Sequence, residues 1–204
     1  YHDEMIGWIN AEKKERGVDF TMINGDLFHN EIEFLPQVKS KWDQLTMPYY
    51  VSHGNHDETE EPHWQQVWNH PWHFAFEEHN AAFIVLNSAD HKGNYICPDL
   101  EWTKEQLLKY NHKKQLFVFM HITPFNWTKG GLPCPALVEM FNQQSNLKAI
   151  FHGHDHDVDS VKENSGKYYF FDRGRSDLTF FVLCVFCTER SQKGTYTDTC
   201  RAEI

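Results

Sequence analysis

Residues 147–156 read Leu-Lys-Ala-Ile-Phe-His-Gly-His-Asp-His, a short apolar run that passes directly into three histidines and an aspartate. The apolar run has the length and composition of a buried β-strand. His154 and His156 follow it closely, just after Gly153, and glycine lets the backbone turn sharply. Packing alone does not account for so many polar groups at this point. The segment therefore predicts a strand that ends at a functional site.

Three other predicted strands end in the same way, in polar side chains next to glycine or in a histidine. Residues 18–23 precede Gly25-Asp26, residues 49–52 precede the sequence His-Gly-Asn-His-Asp, and residues 116–120 precede His121. The carboxyl ends of the strands share one edge in an open α/β sheet, and ligand sites collect at that edge. We therefore expect one crevice to be lined by Asp26, Asn55, His56, His121, His154 and His156.

The chemistry of these side chains indicates a metal site. Imidazole nitrogen, carboxylate oxygen and amide oxygen together suit Mn, Fe or Zn. A single aspartate such as Asp26 can bridge two cations through its two oxygens. Two cations roughly 3.5–4 Å apart would hold both the attacking and the leaving oxygen of an in-line displacement. The pattern thus favours a dinuclear centre that acts on phosphate esters.

Helical patterns alternate with the strands over most of the chain. They cover residues 3–16, 36–45, 98–110 and 135–144, while further strands are predicted at 82–86, 158–162, 168–171 and 180–186. Within the helices, the spacing puts Trp8 on one apolar face with Met5 and Ile9, and Leu108 on one with Leu100 and Leu107. We find no internal repeat, low-complexity tract or linker in the 204 residues. The pattern predicts one α/β domain over residues 1–204, with a β-rich final third.

Composition limits the partners of the chain. The formal net charge of −10 argues against long duplex nucleic acid, which is held mainly through its phosphate backbone. The longest strongly apolar run, residues 180–187, is less than half the length of a membrane span, so no membrane span is predicted. Five cysteines are an odd number for a disulfide framework, and the redox compartment stays open.

Residues 53–79 are rich in tryptophan and histidine and allow two interpretations. Trp64, Trp68 and Trp72 could form a lid whose indoles stack on an aromatic group of the substrate. Their spacing by four residues is also typical of one buried helix face, and this spacing favours the helix face.

Four motifs, in this order, resemble motifs two to five of the calcineurin-like metallophosphoesterase superfamily: Gly25-Asp26, Gly54-Asn55-His56-Asp57, His121 and Gly153-His154-Asp155-His156. The resemblance spans residues 25–156. It implies an α/β fold in which a two-sheet β-sandwich is flanked by helices, a four-layer αββα arrangement.

The resemblance also implies roles for the site residues. Asp26 would bridge two divalent cations, and Asn55, His121 and His154 would complete the second cation site. His156 would bind the first cation. His56 would act as the general acid at the leaving group, with Asp57 as its orienting neighbour. The implied activity is hydrolysis of small phosphate mono- or diesters, with a metal-bound hydroxide as the nucleophile.

The start of the chain departs from the family pattern. Motif one is an Asp-x-His at the end of a first strand, and here only His2 and Asp3 precede the first helix, in the reverse order. We therefore expect a truncated N-terminus that lacks the first strand. The intact protein would hold two divalent cations (Mn, Fe or Zn), and this chain at most one tightly. The alternative is a catalytically inactive metallophosphoesterase fold that serves as a binding or scaffold module.

Overall fold

The computed structural model describes residues 2–171 in full and residues 182–192 and 195–203 as backbone strands. Helices in these residues are α1 (His2–Arg16), α2 (Leu35–Trp42), α3 (Glu61–Trp68), α4 (Leu100–Lys109) and α5 (Pro135–Gln143), and a 3₁₀ turn, Ile32–Phe34, precedes α2. The strands are β1 (Phe20–Asn24), β2 (Tyr49–Ser52), β3 (Phe74–Glu78), β4 (Ala81–Leu86), β5 (Gln115–Met120), β6 (Leu147–His152), β7 (Ser160–Asn164), β8 (Lys167–Phe171), β9 (Val182–Gln192) and β10 (Thr195–Glu203).

The strands form two mixed sheets. The first sheet has the order β10-β9-β1-β2, in which β1 and β2 are parallel and β9 runs antiparallel to β1. The second has the order β3-β4-β5-β6-β8-β7, in which the four central strands are parallel and the two edge strands antiparallel. The motif residues directly follow four parallel strands, which are β1 and β2 in one sheet and β5 and β6 in the other.

An aromatic layer joins the two sheets. The Phe20 ring of β1 meets the Phe83 ring of β4 edge-on, with 4.9 Å between centroids, and Phe119 stacks on Phe151 at 5.0 Å. The alternate residues of β4, such as Ile84, belong instead to the core beneath the helices. Since these strands are buried on both faces, their sequences are continuous apolar runs rather than alternating ones.

Helices cover the outer face of each sheet. Residues of α1, α2 and α3 form one core with β1 and β2, around the fully buried Ile9, Trp42 and Trp64. Residues of α4 and α5 form another with β4, β5 and β6, which includes Leu107 and Phe141. The predicted four-layer αββα fold is confirmed.

Several local predictions differ from the structure. Periodicity placed Trp8 and Leu108 on buried helix faces, yet they are 47% and 59% exposed, and Ile6 and Leu107 lie in the core beside them. The edge strand β3, which pairs with β4, was not predicted. The predicted strand at 180–186 corresponds to β9, although residues 180 and 181 lie outside the described residues. In the part of the chain that the structure describes, no helix has the length and apolar character needed to cross a membrane.

Candidate metal centre

The carboxyl ends of β1, β2, β5 and β6 meet at one edge of the two sheets, and Asn24 joins them. The Asn24 amide donates to the Phe151 carbonyl at 3.1 Å, and the Ser52 hydroxyl donates to Asn24 Oδ1 at 2.7 Å. The Asn24 carbonyl in turn accepts from the His121 ring at 2.7 Å. These groups are buried, so a hydrogen-bonded network fixes the relative positions of four strand ends.

Asp26, His121 and His154 come together at this edge. One ligand atom from each residue lies within 4.8 Å of the others, which is close enough for the three to share one ion. Asp26 and His121 are buried, and His154 is half-buried. The positions of these three residues after predicted strands had indicated one shared crevice.

The hydrogen bond between His121 and Asn24 determines which ring nitrogen of His121 carries a proton and which has a free lone pair. Because a carbonyl only accepts, His121 Nδ1 carries the proton that it donates to Asn24. His121 Nε2 then faces Asp26 Oδ2 at 3.0 Å, and both atoms are acceptors in their basic forms. A cation, either a proton or a metal ion, must lie between them.

Burial and mutual attraction act in opposite directions on the pKa values of Asp26 and His121. Burial alone would raise the pKa of Asp26, but the charge and hydrogen bond of His121 lower it to about 2. Burial alone would lower the pKa of His121, but the Asp26 carboxylate raises it above its usual value. Burial and the nearby His121 lower the pKa of His154 to about 4, so its imidazole is neutral at pH 7 and able to bind a metal.

Asn55 supplies an independent sign that an ion fits here. Its Oδ1 is buried and has no hydrogen-bond partner among the residues that the structure describes. A buried amide oxygen without a donor costs roughly 1–3 kcal/mol. Asn55 follows Gly54, which packs against Asp26, so its oxygen is a candidate fourth ligand beside the nitrogen and oxygen donors of the cluster.

Glycines beside the ligands leave room that no other residue would leave. A Cβ atom on Gly54 would overlap the backbone nitrogen and Oδ1 of Asp26, and one on Gly25 would overlap the His121 ring. Gly153 packs against the same ring, since a Cβ there would lie 3.1 Å from His121 Nδ1. The glycines in the motifs therefore allow the strand ends to approach closely enough to form the site.

Three of the six non-glycine residues with a left-handed backbone, among those that the structure describes, lie at this site. Asp26, Asn30 and His154 have φ values of 53°, 67° and 69°, in the left-handed region that residues with a side chain rarely adopt. Each such residue costs of order 1–3 kcal/mol, and the cost persists only where the surrounding structure imposes it. Here the imposed conformations direct the Asp26 and His154 side chains toward the site.

His56 lies at the rim of the cluster, half-buried. Its backbone N–H donates to Asp26 Oδ1 at 2.9 Å, and its ring Nδ1 lies 2.8 Å from Asn30 Oδ1. The ring also packs against His29, with 4.2 Å between centroids. Burial lowers the pKa of His56, partly offset by the charge of Asp26. The ring partner, Asn30, is a residue that the sequence analysis did not select.

Asp57 contacts backbone amides. Its Oδ1 accepts from Leu27 N–H at 2.7 Å and from Phe28 N–H at 3.4 Å, and its Oδ2 accepts from Gly54 N–H at 2.9 Å. Burial, together with the charge of Asp26, raises the pKa of this carboxyl above its usual range. The hydrogen bonds join the loop after β1 to the loop after β2, so Asp57 supports both the loop that carries Asp26 and the Asn55–His56 turn.

His156 and the N-terminal residues do not belong to the Asp26–His121–His154 cluster. His156 is exposed and is not among the three residues that converge. The His2 ring packs on Trp42 with centroids 5.6 Å apart, and Asp3 pairs with Lys41 at 2.6 Å. Neither His2 nor Asp3 therefore supplies the ligands that motif one would have provided.

The tryptophan-rich insert forms part of the core. Trp64 and Trp68 are buried on α3, and the helix ends before Trp72, which stacks on the buried His53 ring at 4.8 Å. The two helical indoles show the buried helix face that the spacing favoured. These three indoles therefore pack in the core formed by α1, α2, β1 and β2.

Two further loops border His154. The Tyr95 ring lies 5.0 Å from the His154 ring, and a Cβ atom on Gly130 would overlap that ring from another side. A disulfide between Cys97 and Cys134, with Cα atoms 5.9 Å apart, connects these loops. An odd cysteine count and a separation of 37 residues gave no sign of this pairing.

Fold and site together define an α/β protein of the metallophosphoesterase type. A model of the calcineurin-like phosphoesterase family matches residues 1–158, and the chain belongs to that family. The family implies divalent metal ions and phosphoester hydrolysis in general terms. No curated protein sequence is a significant match to the chain.

Solved structures with the same fold include enzymes that act on phosphate esters. A dimetal phosphatase from Danio rerio has a TM-score of 0.68 and 13% identity, covering 90% of this chain and 82% of that one. An NAD nucleotidase from Haemophilus influenzae has a TM-score of 0.58 and 13% identity, covering 98% of this chain and 43% of that one. A 5'-nucleotidase precursor from Thermus thermophilus has a TM-score of 0.53 and 12% identity, covering 97% of this chain and 47% of that one. Likeness at these identities shows the fold, and this chain spans less than half the length of either nucleotidase.

Proposed function

We propose that this chain hydrolyses small phosphate mono- or diesters at the metal centre after β1, β2, β5 and β6. The observation that carries the proposal is the buried cluster itself. Asp26 and His121 face each other through two acceptor atoms, and the buried Asn55 oxygen, in the turn that packs on Asp26, has no donor among the described residues. A bound cation would satisfy all three groups at once, and this combination supports a metal-dependent reaction.

Four residues would hold one divalent cation: Asp26, Asn55, His121 and His154. Such a cation supplies positive charge for the phosphoryl oxygens and lowers the pKa of coordinated water. Around it, Asn24 holds the His121 ring in one tautomer and orientation. The hydrogen bonds from Leu27 and Gly54 to Asp57 keep the two ligand-bearing loops in register.

His56 would donate a proton to the departing oxygen. Its Nδ1 is held by Asn30 Oδ1 at 2.8 Å, so the transferable proton of the cationic ring is the one on Nε2. The ring is half-buried and lies next to the metal ligands, a position from which a leaving group at the rim can be reached. Burial lowers the pKa of the ring, which makes the cationic form a stronger acid.

The overall charge of the chain bears on the type of substrate. With a formal net charge of −10, the chain as a whole disfavours extended polyanions. A divalent cation would therefore provide the local positive charge that attracts a phosphate group. This combination supports a small phosphate ester rather than long duplex nucleic acid.

Turnover of p-nitrophenyl phosphate and of bis(p-nitrophenyl) phosphate, with Mn²⁺ added, tests the proposal. We expect Mn²⁺-dependent release of p-nitrophenolate from at least one ester. The His154→Ala variant, purified in the same way, serves as the control for contaminating phosphatases and should show none. Tight Mn²⁺ binding by the wild-type chain without turnover of either ester would contradict the proposal and favour the inactive binding module.

A further inference from the structure

Tyr95 is a large aromatic side chain that stays exposed on a well-fixed loop beside the metal centre. It is 41% exposed, and its ring lies 5.0 Å from that of His154 in an edge-to-face arrangement. Single exposed aromatics are common on protein surfaces and need no explanation of their own. The loop that carries Tyr95 and the neighbours that it touches set this residue apart.

Hydrogen bonds within the loop determine its conformation. Asp90 Oδ1 accepts from the backbone N–H groups of Lys92 and Asn94 at 2.8 and 2.9 Å, which closes a tight turn just before Tyr95. Tyr95 itself forms an antiparallel bridge with Ala89. The ring is therefore presented by a pre-organised backbone and needs little ordering when a ligand binds.

Contacts outside the loop fix its position relative to the metal ligands. Gly93 packs so closely on the Asn55 carbonyl that a Cβ atom would lie 2.5 Å from that oxygen. On the other side, the disulfide between Cys97 and Cys134 tethers the loop to the segment that leads into α5. Tyr95 is thus held at the rim of the site, between the turn that carries Asn55 and the His154 ring.

We propose that Tyr95 forms an aromatic subsite that selects phosphate esters whose ester group is a planar aromatic ring. The inference rests on the proposed function, since a phosphate held at the metal centre would extend its ester group toward the rim. A tyrosine ring provides a face for stacking with two side-chain torsions to order, so the entropic cost of contact is small.

Binding of two phosphonates to the Mn²⁺-loaded protein, measured by calorimetry, tests the subsite without any turnover. Phenylphosphonate carries the aromatic ring, and methylphosphonate carries the same acidic group without it. We expect the methyl-to-phenyl ratio of dissociation constants to fall roughly 2- to 12-fold in Tyr95→Leu, the range that corresponds to one aromatic pair. Tyr95→Phe should keep the wild-type ratio, because it keeps the ring.

The matched control is Tyr168→Leu, which removes another exposed tyrosine, 53% exposed. Tyr168 belongs to β8 and pairs with Ala149, in the first half of β6, whereas the metal ligands follow the carboxyl end of that strand. That variant should keep the wild-type ratio. An unchanged ratio in Tyr95→Leu, with Mn²⁺ affinity preserved, would overturn the subsite. If the wild-type chain hydrolyses neither ester and the ratio still depends on Tyr95, the proposed function fails and the subsite stands as a binding site. If hydrolysis occurs and the ratio does not depend on Tyr95, only the subsite fails.

Discussion

The two halves of the predicted dinuclear site are built very differently. We call Asp26, Asn55, His121 and His154 the Asn55 half, and His156 with the shared Asp26 the His156 half. In the Asn55 half, Asp26, Asn55 and His121 are buried and each strand end is fixed by hydrogen bonds or by close glycine contacts. In the His156 half, the residue that is not shared is exposed.

This difference indicates that a metal ligand binds tightly when its orientation is fixed before the ion arrives. Side chains with the right chemistry are present in both halves, but the Asn55 half also has the buried hydrogen bonds that orient its ligands before an ion arrives. An exposed histidine on a loop must lose conformational freedom when it binds an ion. We therefore expect one cation to be held tightly by the Asn55 half and any second cation to be held weakly.

The largest effect that distinguishes the halves is expected from replacing their ligands. Asp26→Asn should abolish ester hydrolysis and weaken the tight Mn²⁺ site by more than about 100-fold, because it removes the carboxylate of the converging cluster. His156→Gln should change that affinity by less than about 10-fold. Calorimetric titration with Mn²⁺ gives both the affinity and the number of ions per chain. Two ions bound equally tightly, or equal losses in the two variants, would contradict the comparison.

The next effect concerns His56, which lies between the halves and is assigned no ion. His56→Asn should lower kcat by roughly 10²–10⁴, the usual contribution of a general acid, while the Mn²⁺ content stays close to that of the wild type. The loss should shrink for esters with good leaving groups, since these need little protonation. Metal analysis of the purified variant provides the control, and loss of the tight ion would make His56 a ligand instead.

A smaller effect is expected from filling the space beside Asp26. Gly54→Ala should lower the free energy of unfolding by about 1–3 kcal/mol, because its Cβ overlaps the Asp26 backbone and the carboxylate must move. Tight Mn²⁺ binding should weaken as well. The matched variant is Gly7→Ala in α1, where nothing lies within 4 Å and where alanine should stabilise the helix by about 0.5–1 kcal/mol. Chemical denaturation measures the change in the free energy of unfolding for both variants. A stable Gly54→Ala that still binds Mn²⁺ would show that the close contact between Gly54 and Asp26 is dispensable.

The smallest effect is a dependence of Mn²⁺ affinity on pH. A metal ion must displace the proton shared by His121 and Asp26, and Asp26 raises the pKa of His121 above 6.5. Affinity should therefore fall as the pH drops through that raised value, by at most about 10-fold per pH unit. The stability of the metal-free fold should depend on pH in the opposite sense. The attraction between protonated His121 and Asp26 stabilises the fold fully below pH 6.5, and this stabilisation is lost as the pH rises through the folded pKa of His121. Proton release on Mn²⁺ binding, measured in buffers of different ionisation enthalpy, checks the first statement, and no release at about pH 6.5 would contradict it.

The sequence predicted the layered fold because its main signals are local. Each buried parallel strand is a continuous apolar run, and the polar residues that follow it mark where the strand ends. The strand at 49–52 was predicted with the observed bounds. Trp8 and Leu108 were assigned to the wrong side of their helices, because helical spacing admits neighbouring faces and only packing decides between them. The edge strand β3 pairs on one side, and its residues carry no comparable signal.

The partners of the site residues were harder to predict, because they come from distant parts of the chain. Asn24 contacts Phe151 across 127 positions, and Asn30 meets His56 across 26. Nothing near Asn30 in the sequence indicates a partner for a histidine ring. Tyr95 likewise reaches His154 only because a turn and a disulfide place its loop at the rim. Ligand types follow from motifs, whereas their supporting contacts follow from the three-dimensional arrangement of loops.

The disulfide between Cys97 and Cys134 also makes the stability of the fold depend on redox conditions. It closes a loop of 37 residues that contains α4 and β5. In the chain-entropy model, a closed loop of this length lowers the entropy of the unfolded chain enough to contribute about 4 kcal/mol. Such a contribution is a large part of the roughly 5–15 kcal/mol that typically separates a folded domain from its unfolded state. Once the disulfide is reduced, the same sequence must fold without this contribution.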